Sequence, residues 1–458
     1  MHVSDFQHNS QSIMCPALII SAPSSGQGKT TATAALARLF RNQGKQVRVF
    51  KIGPDFLDPM ILEQASGQPV YQLDLFMGGE QHCRHLLYQA ALTSDLILIE
   101  GVMGLFDGHS SAADFAFRLN IPVVAVMDGS AMAQSFGAIA FGLANYRAGL
   151  PFAGVLANNV GSEGHMRMLR DSLPENMFWF GALFRSKETS GQDISLPSRH
   201  LGLVQKSEIE DLDERLDCAA HQLAQTGLSK LPEPVEFQRV EDVSRYDQHI
   251  NKGIYELKPL AGLAVAVACD QALGFIYPAN VDVLKLLGAE VVYFSPLADQ
   301  VLPEADALYL PGGYPELHHQ ALALNQSLTD QINEFADQGN PVLAECGGMM
   351  WLVDELTDIS GDTSAMLGIL PGHAKMQKRL TAIAMQQVDL PEGKLAGHTF
   401  HHSKLETKME PIAKGKSPSN KATSELIYRK GRITASYVHY YFPSNPSAVA
   451  KLFSKDVV

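Results

Sequence analysis

The sequence predicts an α/β protein made of two tandem α/β domains, the first of which is built on a sheet of parallel strands. Short apolar runs such as "ALIISAP", "VRVFKIG", "LILIEG" and "PVVAVMD" recur through the first half, and longer segments of helical pattern separate them. A second series begins with "LAVAVACD" and continues through "ALYLPGG" and "PVLAEC" to "ITASYVHYYF". Apolar strands that alternate with helices are typical of a parallel sheet covered by helices.

The predicted boundaries follow changes of composition. Between the two series, residues 228–260 are polar and interrupted by prolines, with no clear strand, so we interpret them as a linker. The first domain is then 16–227 and the second 261–458. Residues 1–15 lack the basic start and long apolar core of a signal peptide, and we interpret them as a flexible extension.

Composition excludes several classes of function. The chain has 458 residues, 46% of them apolar, and a formal net charge of −13 without a long basic run, so we expect no nucleic-acid partner. No apolar stretch reaches the roughly 20 residues of a membrane helix. Five cysteines without CxxC spacing argue against a disulfide framework and a thiolate zinc site. We expect a cytoplasmic protein.

A phosphate-binding loop is predicted in "SAPSSGQGKTT", which follows an apolar strand and opens an amphipathic helix. Backbone N–H groups at such a helix start bind phosphate. Lys29 is expected to reach the outer phosphates of ATP, and the Thr30 hydroxyl a Mg²⁺ ion. The usual glycine five residues before Gly28 is replaced by Pro23. The predicted nucleotide-binding residues of this loop are Gly26, Gly28, Lys29, Thr30 and Thr31.

Four carboxylates are predicted to lie at the same sheet edge as this loop. "FKIGPDFLDP" presents Lys51, Asp55 and Asp58 after the second strand, and "LILIEGVMGLFDG" ends a strand in Glu100 and continues to Asp107. Clustered carboxylates repel one another unless cations neutralise them. The sequence therefore predicts one or two Mg²⁺ ions here, with Glu100 at the strand end as a metal ligand.

The second domain carries a candidate thiol site. In "PVLAECGGMMWL" a strand ends at Glu345, and Cys346 precedes two glycines and an apolar helix, a turn that presents a nucleophile. Gly312 and Gly313 follow another strand and are predicted to form an oxyanion hole. His439 on a late strand is the predicted base, and only the fold can bring these residues together.

Several motifs together resemble the cobyrinic acid a,c-diamide synthase family. They are "KIGPDFLDP", "EGVMGLFDG", "LANNVGSEGHMRMLRD", "LPSRHLGLVQ", "AECGGMMWL" and "GHTFHHSKLE", and the likeness runs from Ala17 to about residue 450. The family's first domain is similar to dethiobiotin synthetase, whose phosphate loop also lacks the first glycine. Its second resembles class I glutamine amidotransferases. Cobyric acid synthase shares this plan, but its region after the second strand does not look like "KIGPDFLDP".

The resemblance implies a carbon–nitrogen ligase of cobalamin biosynthesis. Such an enzyme amidates the a and c acetate side chains of cobyrinic acid through acyl phosphates, with Mg·ATP and with ammonia released from glutamine. Cys346 would attack the glutamine amide with His439 as base. By the same resemblance the expected substrate-binding residues are Lys51, Asp58 and Asp107, and Asp55 is expected to be a ligand of the metal. Asn158 is the candidate for reading the adenine.

One position departs from the amidotransferase pattern. Most class I members carry a glutamate two residues after the histidine, and Tyr441 stands there in this chain. The group that orients His439 is therefore left open. The cluster of His398, His401 and His402 is expected to serve in hydrogen bonding rather than as zinc ligands.

Alternatives remain open at this point. The same chemistry could act on cobalt-free hydrogenobyrinic acid, on a nickel tetrapyrrole or in forming cobyric acid, because no motif reads the central metal. A nucleotide-switched scaffold without catalysis is the alternative of another class, and retention of Lys29, Glu100, Cys346 and His439 argues against it. The order of the two amidations is not predicted, and a homodimer is left open.

Overall fold

The computed structural model describes residues 12–108, 110–185, 194–199, 202–240, 251–419 and 421–455. It divides into two compact units. The first comprises Met1–Leu75 and Gly79–Glu241, and the second Phe76–Gly78 and Asp242–Val458. Among the described residues, no helix combines the length and apolar character needed to cross a membrane.

Strands and helices alternate through the first unit. In chain order they are β1 (Ser12–Ser21), α1 (Lys29–Asn42), β2 (Val47–Ile52), α2 (Leu57–Ser66), β3 (Tyr71–Leu73), α3 (Gly79–Ala91), β4 (Leu96–Glu100), α4 (Ala112–Leu119), β5 (Val123–Asp128), α5 (Ser135–Asn145), β6 (Phe152–Val160), α6 (Glu163–Asp171), β7 (Trp179–Phe184), β8 (Ser198–Arg199), β9 (Gly202–Leu203), α7 (Leu212–Leu223) and β10 (Pro234–Gln238).

The main sheet of this unit has the order β3-β2-β4-β1-β5-β6-β7, and these strands pair in parallel. Central strand β1 is buried on both faces. Ala17 and Ile19 belong to one hydrophobic core, and Leu18 and Ile20 belong to the other. The continuous apolar run "ALII" is explained by this two-sided burial, since strands of parallel sheets are covered by helices on both faces.

The structure differs from the sequence prediction at the start and end of this unit. The extension was expected to be flexible to residue 15, but the first residues of β1 pair antiparallel with β10, from Ser12 opposite Gln238 onward. Residues 1–11 lie outside the described part. β10 itself lies in the segment where no strand was predicted, although Val235 and Phe237 alternate into the core. Flanking prolines and charges hid this short alternation.

The second unit contains more strands than helices. In chain order its elements are α8 (Asn251–Leu257), β11 (Ala264–Ala268), β12 (Leu273–Phe275), α9 (Pro278–Leu286), β13 (Glu290–Phe294), β14 (Ala307–Leu310), β15 (Gly312–Gly313), α10 (His319–Leu324), α11 (Gln326–Asp337), β16 (Val342–Glu345), α12 (Gly347–Leu352), β17 (Val353–Thr357), β18 (Thr363–Ala365), β19 (Leu370–Met376), β20 (Ala382–Leu390), β21 (Gly393–His401), β22 (Ser403–Glu406), β23 (Ala413–Lys416), β24 (Ala422–Lys430), β25 (Ile433–Ser436), β26 (His439–Tyr440) and α13 (Pro446–Phe453).

Its main sheet has the order β13-β11-β14-β16-β25-β24-β23-β20-β21-β26. The strands from β13 to β25 pair in parallel, and the remainder pair antiparallel. Strand β26 is the last strand in this order and lies far from β25 in the sheet. In the chain, however, only Tyr437 and Val438 separate β26 from β25, which is the neighbour of β16. The short connection returns β26 to the end of β16.

The central strands of the first unit should dominate its stability. Ile99 of β4 is fully buried, and Ile99→Ala should cost about 2–5 kcal/mol because it leaves a cavity that its neighbours fill only partly. Met14→Ala on the same sheet should change stability by less than about 0.5 kcal/mol, because Met14 is 58% exposed.

The two tryptophans allow this unit to be followed separately. Trp179 lies in β7 and Trp351 in α12, so a Trp351→Phe background leaves tryptophan fluorescence to the first unit. Urea unfolding should show a clearly lower midpoint for Ile99→Ala than for Met14→Ala. Equal midpoints would show that β4 is not part of the cooperative core.

Candidate active site

The phosphate loop leads from β1 into α1 and depends on two glycines with positive φ. Gly26 has φ 77° and Gly28, which precedes the helix, has φ 92°. A Cβ atom at Gly28 would lie 2.0 Å from Asn158 Nδ2, so position 28 excludes any side chain. Thr30 and Thr31 lie in the first turn of α1, where backbone N–H groups lack helical acceptors and suit an anion.

Lys29 is folded back against this loop. Its Nζ donates to the carbonyl oxygens of Ser24 at 3.0 Å and Met103 at 2.7 Å. Burial lowers the pKa of Lys29, and the negative charge of Glu100 opposes that shift. The predicted phosphate-binding cation therefore lies at the loop and is held by two backbone carbonyls.

Asn158 contacts the phosphate loop directly. Its Nδ2 donates to the Gln27 carbonyl oxygen at 3.1 Å, while Gln27 Oε1 accepts from the backbone N–H of Asp128 at 2.8 Å. Asn159 Nδ2 donates to Asp128 at 2.7 Å. We predicted only Asn158 here, as a reader of adenine, and in this structure its amide holds the loop. The positions of Asp128 and Asn158 near the ends of parallel strands were the available signal for this network.

Three of the four predicted carboxylates surround one buried lysine. Lys51 Nζ donates to Asp58, lies 3.1 Å from Glu100 Oε1, and lies 3.4 Å from Asp55 Oδ2. The argument that these carboxylates need Mg²⁺ to relieve repulsion was incomplete, because the Lys51 ammonium already neutralises part of their charge. The fourth carboxylate, Asp107, has a different partner. Its Oδ2 accepts a hydrogen bond from Gly104 N–H at 2.9 Å within a turn.

The Lys51 cluster changes the acidity of every member. Burial alone would lower the pKa of Lys51, but the carboxylates outweigh it and raise that pKa well above its usual value. Burial raises the pKa of Glu100, and burial with the charge of Asp58 raises the pKa of Asp55 to about 7. Burial opposes ionisation of Asp58 too, but Lys51 lowers its pKa overall.

Of the predicted metal ligands, Glu100 and Thr30 fit a hard cation better than Asp55 does. Glu100 Oε1 accepts from the Thr30 hydroxyl at 2.7 Å, and Oε2 is buried without a hydrogen-bond partner in the structure. Such an oxygen beside a phosphate loop suits Mg²⁺. Asp55 instead accepts from the N–H groups of Leu57 and Asp58 at the start of α2. In the described ranges, no group of three or more His, Cys, Asp or Glu side chains is arranged for a metal ion.

Cys346 occupies a strained turn between β16 and α12. Its φ of 45° is unusual for a residue with a side chain and costs of the order of 1–3 kcal/mol. Its N–H donates to Ser436 O of the adjacent strand at 2.7 Å, which fixes the turn to the sheet. Burial raises the pKa of the Cys346 thiol well above its ordinary value, which favours the neutral thiol over the thiolate.

The glycines around this turn permit a close approach of two backbones. A Cβ at Gly347 would lie 2.8 Å from Gly313 N, and one at Gly348 would lie 2.1 Å from Leu310 O. Helix α12 therefore packs directly on the segment that ends β14 and contains the predicted oxyanion donors. The sequence "CGG" is explained by this approach as well as by the turn.

His439 reaches the same segment from β26. A Cβ at Gly312 would lie 2.2 Å from His439 Cε1, so the imidazole packs on the glycine backbone. The structure thus brings Cys346, Gly312, Gly313 and His439 to one region. Burial, together with the charges of His398 and His401, lowers the pKa of His439 well below its usual value. A neutral imidazole can accept a proton from the thiol.

The three histidines of "GHTFHHS" each have a partner of their own. The His398 ring stacks on that of His439 with centroids 5.0 Å apart, and His398 Nδ1 is 2.9 Å from Tyr277 Oη. His401 stacks on Tyr437 at 3.7 Å, and the His402 ring packs edge-on against Phe400. Of these three side chains, His398 is the one with a described ring contact to His439.

Two acidic residues near the thiol were not predicted as functional. Glu316 follows the Gly312–Gly313 segment; burial raises its pKa to about 7, and its charge contributes to the raised pKa of Cys346. Glu345 directly precedes Cys346, and it accepts hydrogen bonds from Tyr309 Oη at 2.9 Å and Tyr440 N at 3.0 Å. An acid at the end of an apolar strand was the visible signal for Glu345.

Two family models match this chain. Residues 18–193 match the CobQ/CobB/MinD/ParA nucleotide binding domain, and residues 264–447 match the CobB/CobQ-like glutamine amidotransferase domain. The predicted fold class, a nucleotide-binding α/β domain followed by a glutamine amidotransferase domain, is confirmed.

Curated relatives match along nearly the whole chain. The hydrogenobyrinate a,c-diamide synthase of Stutzerimonas stutzeri (strain A1501) is 58% identical, with 96% of this chain and 98% of the relative covered. The protein of the same name from Pseudomonas aeruginosa PAO1 is 56% identical over the same shares. The cobyrinate a,c-diamide synthase of Herminiimonas arsenicoxydans is 44% identical, with 96% and 97% covered. The chain therefore belongs to the cobyrinate and hydrogenobyrinate a,c-diamide synthase family.

Proposed function

We propose that this chain amidates the a and c acetate carboxylates of a corrin-ring acid, with ATP to activate each carboxylate and glutamine to supply ammonia. The observation that carries the proposal is the pairing of two sites in one chain. The first unit has a phosphate loop with Thr30 bound to Glu100, and the second has Cys346 on a strained turn with His439 at the same glycine segment.

Glutamine hydrolysis would use the second unit. The His439 imidazole, whose lowered pKa keeps it free of a proton at rest, takes the thiol proton as Cys346 sulfur attacks the glutamine side-chain amide. N–H groups of the Gly312–Gly313 segment would receive the developing oxyanion. The His439 imidazolium then protonates the amide nitrogen as the carbon–nitrogen bond breaks, so that ammonia leaves, and water hydrolyses the thioester to glutamate and the free thiol.

Carboxylate activation would use the first unit. The N–H groups of α1 and the Lys29 ammonium would bind the phosphates of ATP, and a substrate carboxylate would attack the γ-phosphorus, which releases ADP and leaves an acyl phosphate. Thr30 and Glu100 are the residues that would hold Mg²⁺, which when bound supplies positive charge to the phosphate oxygens. Lys51, whose Nζ lies 3.1 Å from Glu100 Oε1, would bind the incoming carboxylate of the substrate. Ammonia then displaces phosphate to give the amide.

The relatives bear on which corrin acid is used. The two with 58% and 56% identity carry hydrogenobyrinate in their names, and the one with 44% identity carries cobyrinate. We therefore place cobalt-free hydrogenobyrinic acid first and cobyrinic acid second. A cytoplasmic location and a homodimer stay predictions.

Removing the nucleophile should separate the two half-reactions. Cys346→Ser should lower glutamine-dependent synthesis by about 10³-fold or more, because the hydroxyl is a poorer nucleophile, while synthesis with added ammonium stays at the wild-type rate. Amide formation is followed by mass spectrometry. Cys269→Ser changes an exposed cysteine of the same unit and should leave both activities intact. Loss of ammonium-dependent synthesis in Cys346→Ser would contradict the two-site proposal.

Neutralising Glu100 should abolish activation without affecting glutamine hydrolysis chemistry. Glu100→Gln should weaken Mn²⁺ binding, measured by electron paramagnetic resonance with ATP present, and lower ammonium-dependent synthesis by about 10²-fold or more. Glu163→Gln makes the same change at an exposed position of α6 and serves as the control. Wild-type metal binding in Glu100→Gln would remove Glu100 from the metal site.

The substrate is tested by direct competition. Purified protein is incubated with equal amounts of hydrogenobyrinic and cobyrinic acids, glutamine and Mg·ATP, and the diamides are resolved by mass spectrometry. We expect hydrogenobyrinic acid to be consumed first. Faster conversion of cobyrinic acid would reverse that order. Neither acid converted, with ATP and glutamine intact, would favour a different carboxylate substrate or the non-catalytic scaffold.

A further inference from the structure

The peptide groups of Tyr440, the residue after His439, are held by buried side chains. Its N–H donates to Glu345 Oε1 at 3.0 Å, and its carbonyl accepts from Asn280 Nδ2 at 2.8 Å. Glu345 is 1% exposed and Asn280 is fully buried. Removing either side chain would leave a backbone polar group without a partner in the interior, which is costly.

These contacts belong to a larger set of bonds that we call the Tyr440 frame, formed by Glu345, Tyr309 and Asn280. Tyr309 is fully buried, and its hydroxyl donates to Glu345 Oε2 at 2.9 Å. Asn280 Oδ1 also accepts from Phe442 N at 2.7 Å, so it bonds to the chain on both sides of Tyr441. Glu345 lies in β16, Tyr309 in β14 and Asn280 in α9.

The strand that carries His439 needs this support. Strand β26 has only two residues, His439 and Tyr440, and its ladder pairing in the described sheet is to β21. A two-residue strand paired on one side is weakly fixed by its backbone alone. The Tyr440 frame attaches it to the elements that carry the nucleophile.

Glu345 is connected to both reacting groups. It is covalently adjacent to Cys346, and through Tyr440 N–H it is one residue from His439. We propose that Glu345, supported by Tyr309 and Asn280, is the positioning residue that sets the His439 imidazole relative to the Cys346 thiol. This inference rests on the proposed glutamine hydrolysis. The carboxyl thus acts through the backbone, where a glutamate at position 441 would have acted on the imidazole.

The chemistry of Glu345 suggests a variant that should retain the function. Burial raises the pKa of Glu345 to about 8, so the site accommodates a neutral side chain. A glutamine there could accept from Tyr440 N–H through its oxygen and donate to Tyr309 Oη through its amide. A methionine has a similar length but offers Tyr440 N–H no effective acceptor.

The test compares Glu345→Gln and Glu345→Met in the full chain. Glutamate release is measured with the corrin acid and Mg·ATP present, and ammonium-dependent synthesis is measured in parallel. Glu345→Met should lower kcat for glutamine by about 10²-fold with KM changed less than about threefold, because a misplaced base slows chemistry more than binding. Glu345→Gln should stay within about fivefold of wild type, a rescue that a need for the charge itself would not allow.

A matched control separates positioning from stability. Asn325 is another buried side chain of the second unit that holds backbone carbonyls, those of Pro296 and Asp299. Asn325→Leu should lower the melting temperature while kcat for glutamine stays near wild type. Ammonium-dependent synthesis should be unchanged in all three variants.

The outcomes are distinguishable. Wild-type kcat in Glu345→Met overturns the positioning role while leaving the proposed function intact, whereas a wild-type chain that never hydrolyses glutamine overturns both. If Glu345→Met fails to fold, Tyr309→Phe decides, because it removes only the hydroxyl that holds Glu345 Oε2. A several-fold lower kcat at unchanged KM in Tyr309→Phe supports the frame, and an unchanged kcat overturns it.

Discussion

Parallel strand pairing is the constraint on which both candidate sites depend. The carboxyl ends of parallel strands meet at one edge of a sheet, so residues distant in sequence become neighbours there. In the first unit this joins the loop after β1 to Lys51 of β2 and Glu100 of β4. In the second it joins the segment after β14 to Cys346 after β16, because β14 and β16 pair directly.

Buried charge is handled differently in the two units. In the first, Lys51 lies among three carboxylates, so repulsion is offset by a cation that belongs to the chain. In the second, burial favours the neutral forms of both Cys346 and His439, so no charge needs compensation until reaction begins. The first arrangement neutralises buried charge within the chain, and the second leaves these two side chains without charge at rest.

The sequence predicted the strands and turns whose residue types are fixed by their local backbone or burial. Apolar runs located the parallel strands, and the glycines around Lys29 and Cys346 indicated turns because few other residues tolerate those backbones or approaches. Strand β10 was missed because its alternation is short and lies among prolines. The compensating role of Lys51 was missed because spacing along the chain does not show which way a side chain points.

The sequence alone determined the order of the two domains, the glycine-rich turn after β1, the turn at Cys346 and the choice of His439 as a candidate base, since each depends on residue types in a local context. Only the tertiary structure decided what holds these groups. Glu345 meets Tyr440, and Asn158 meets Gln27, through hydrogen bonds between residues 95 and 131 positions apart. Such contacts depend on the order of the strands in each sheet and on the packing of the whole chain, which no local pattern encodes.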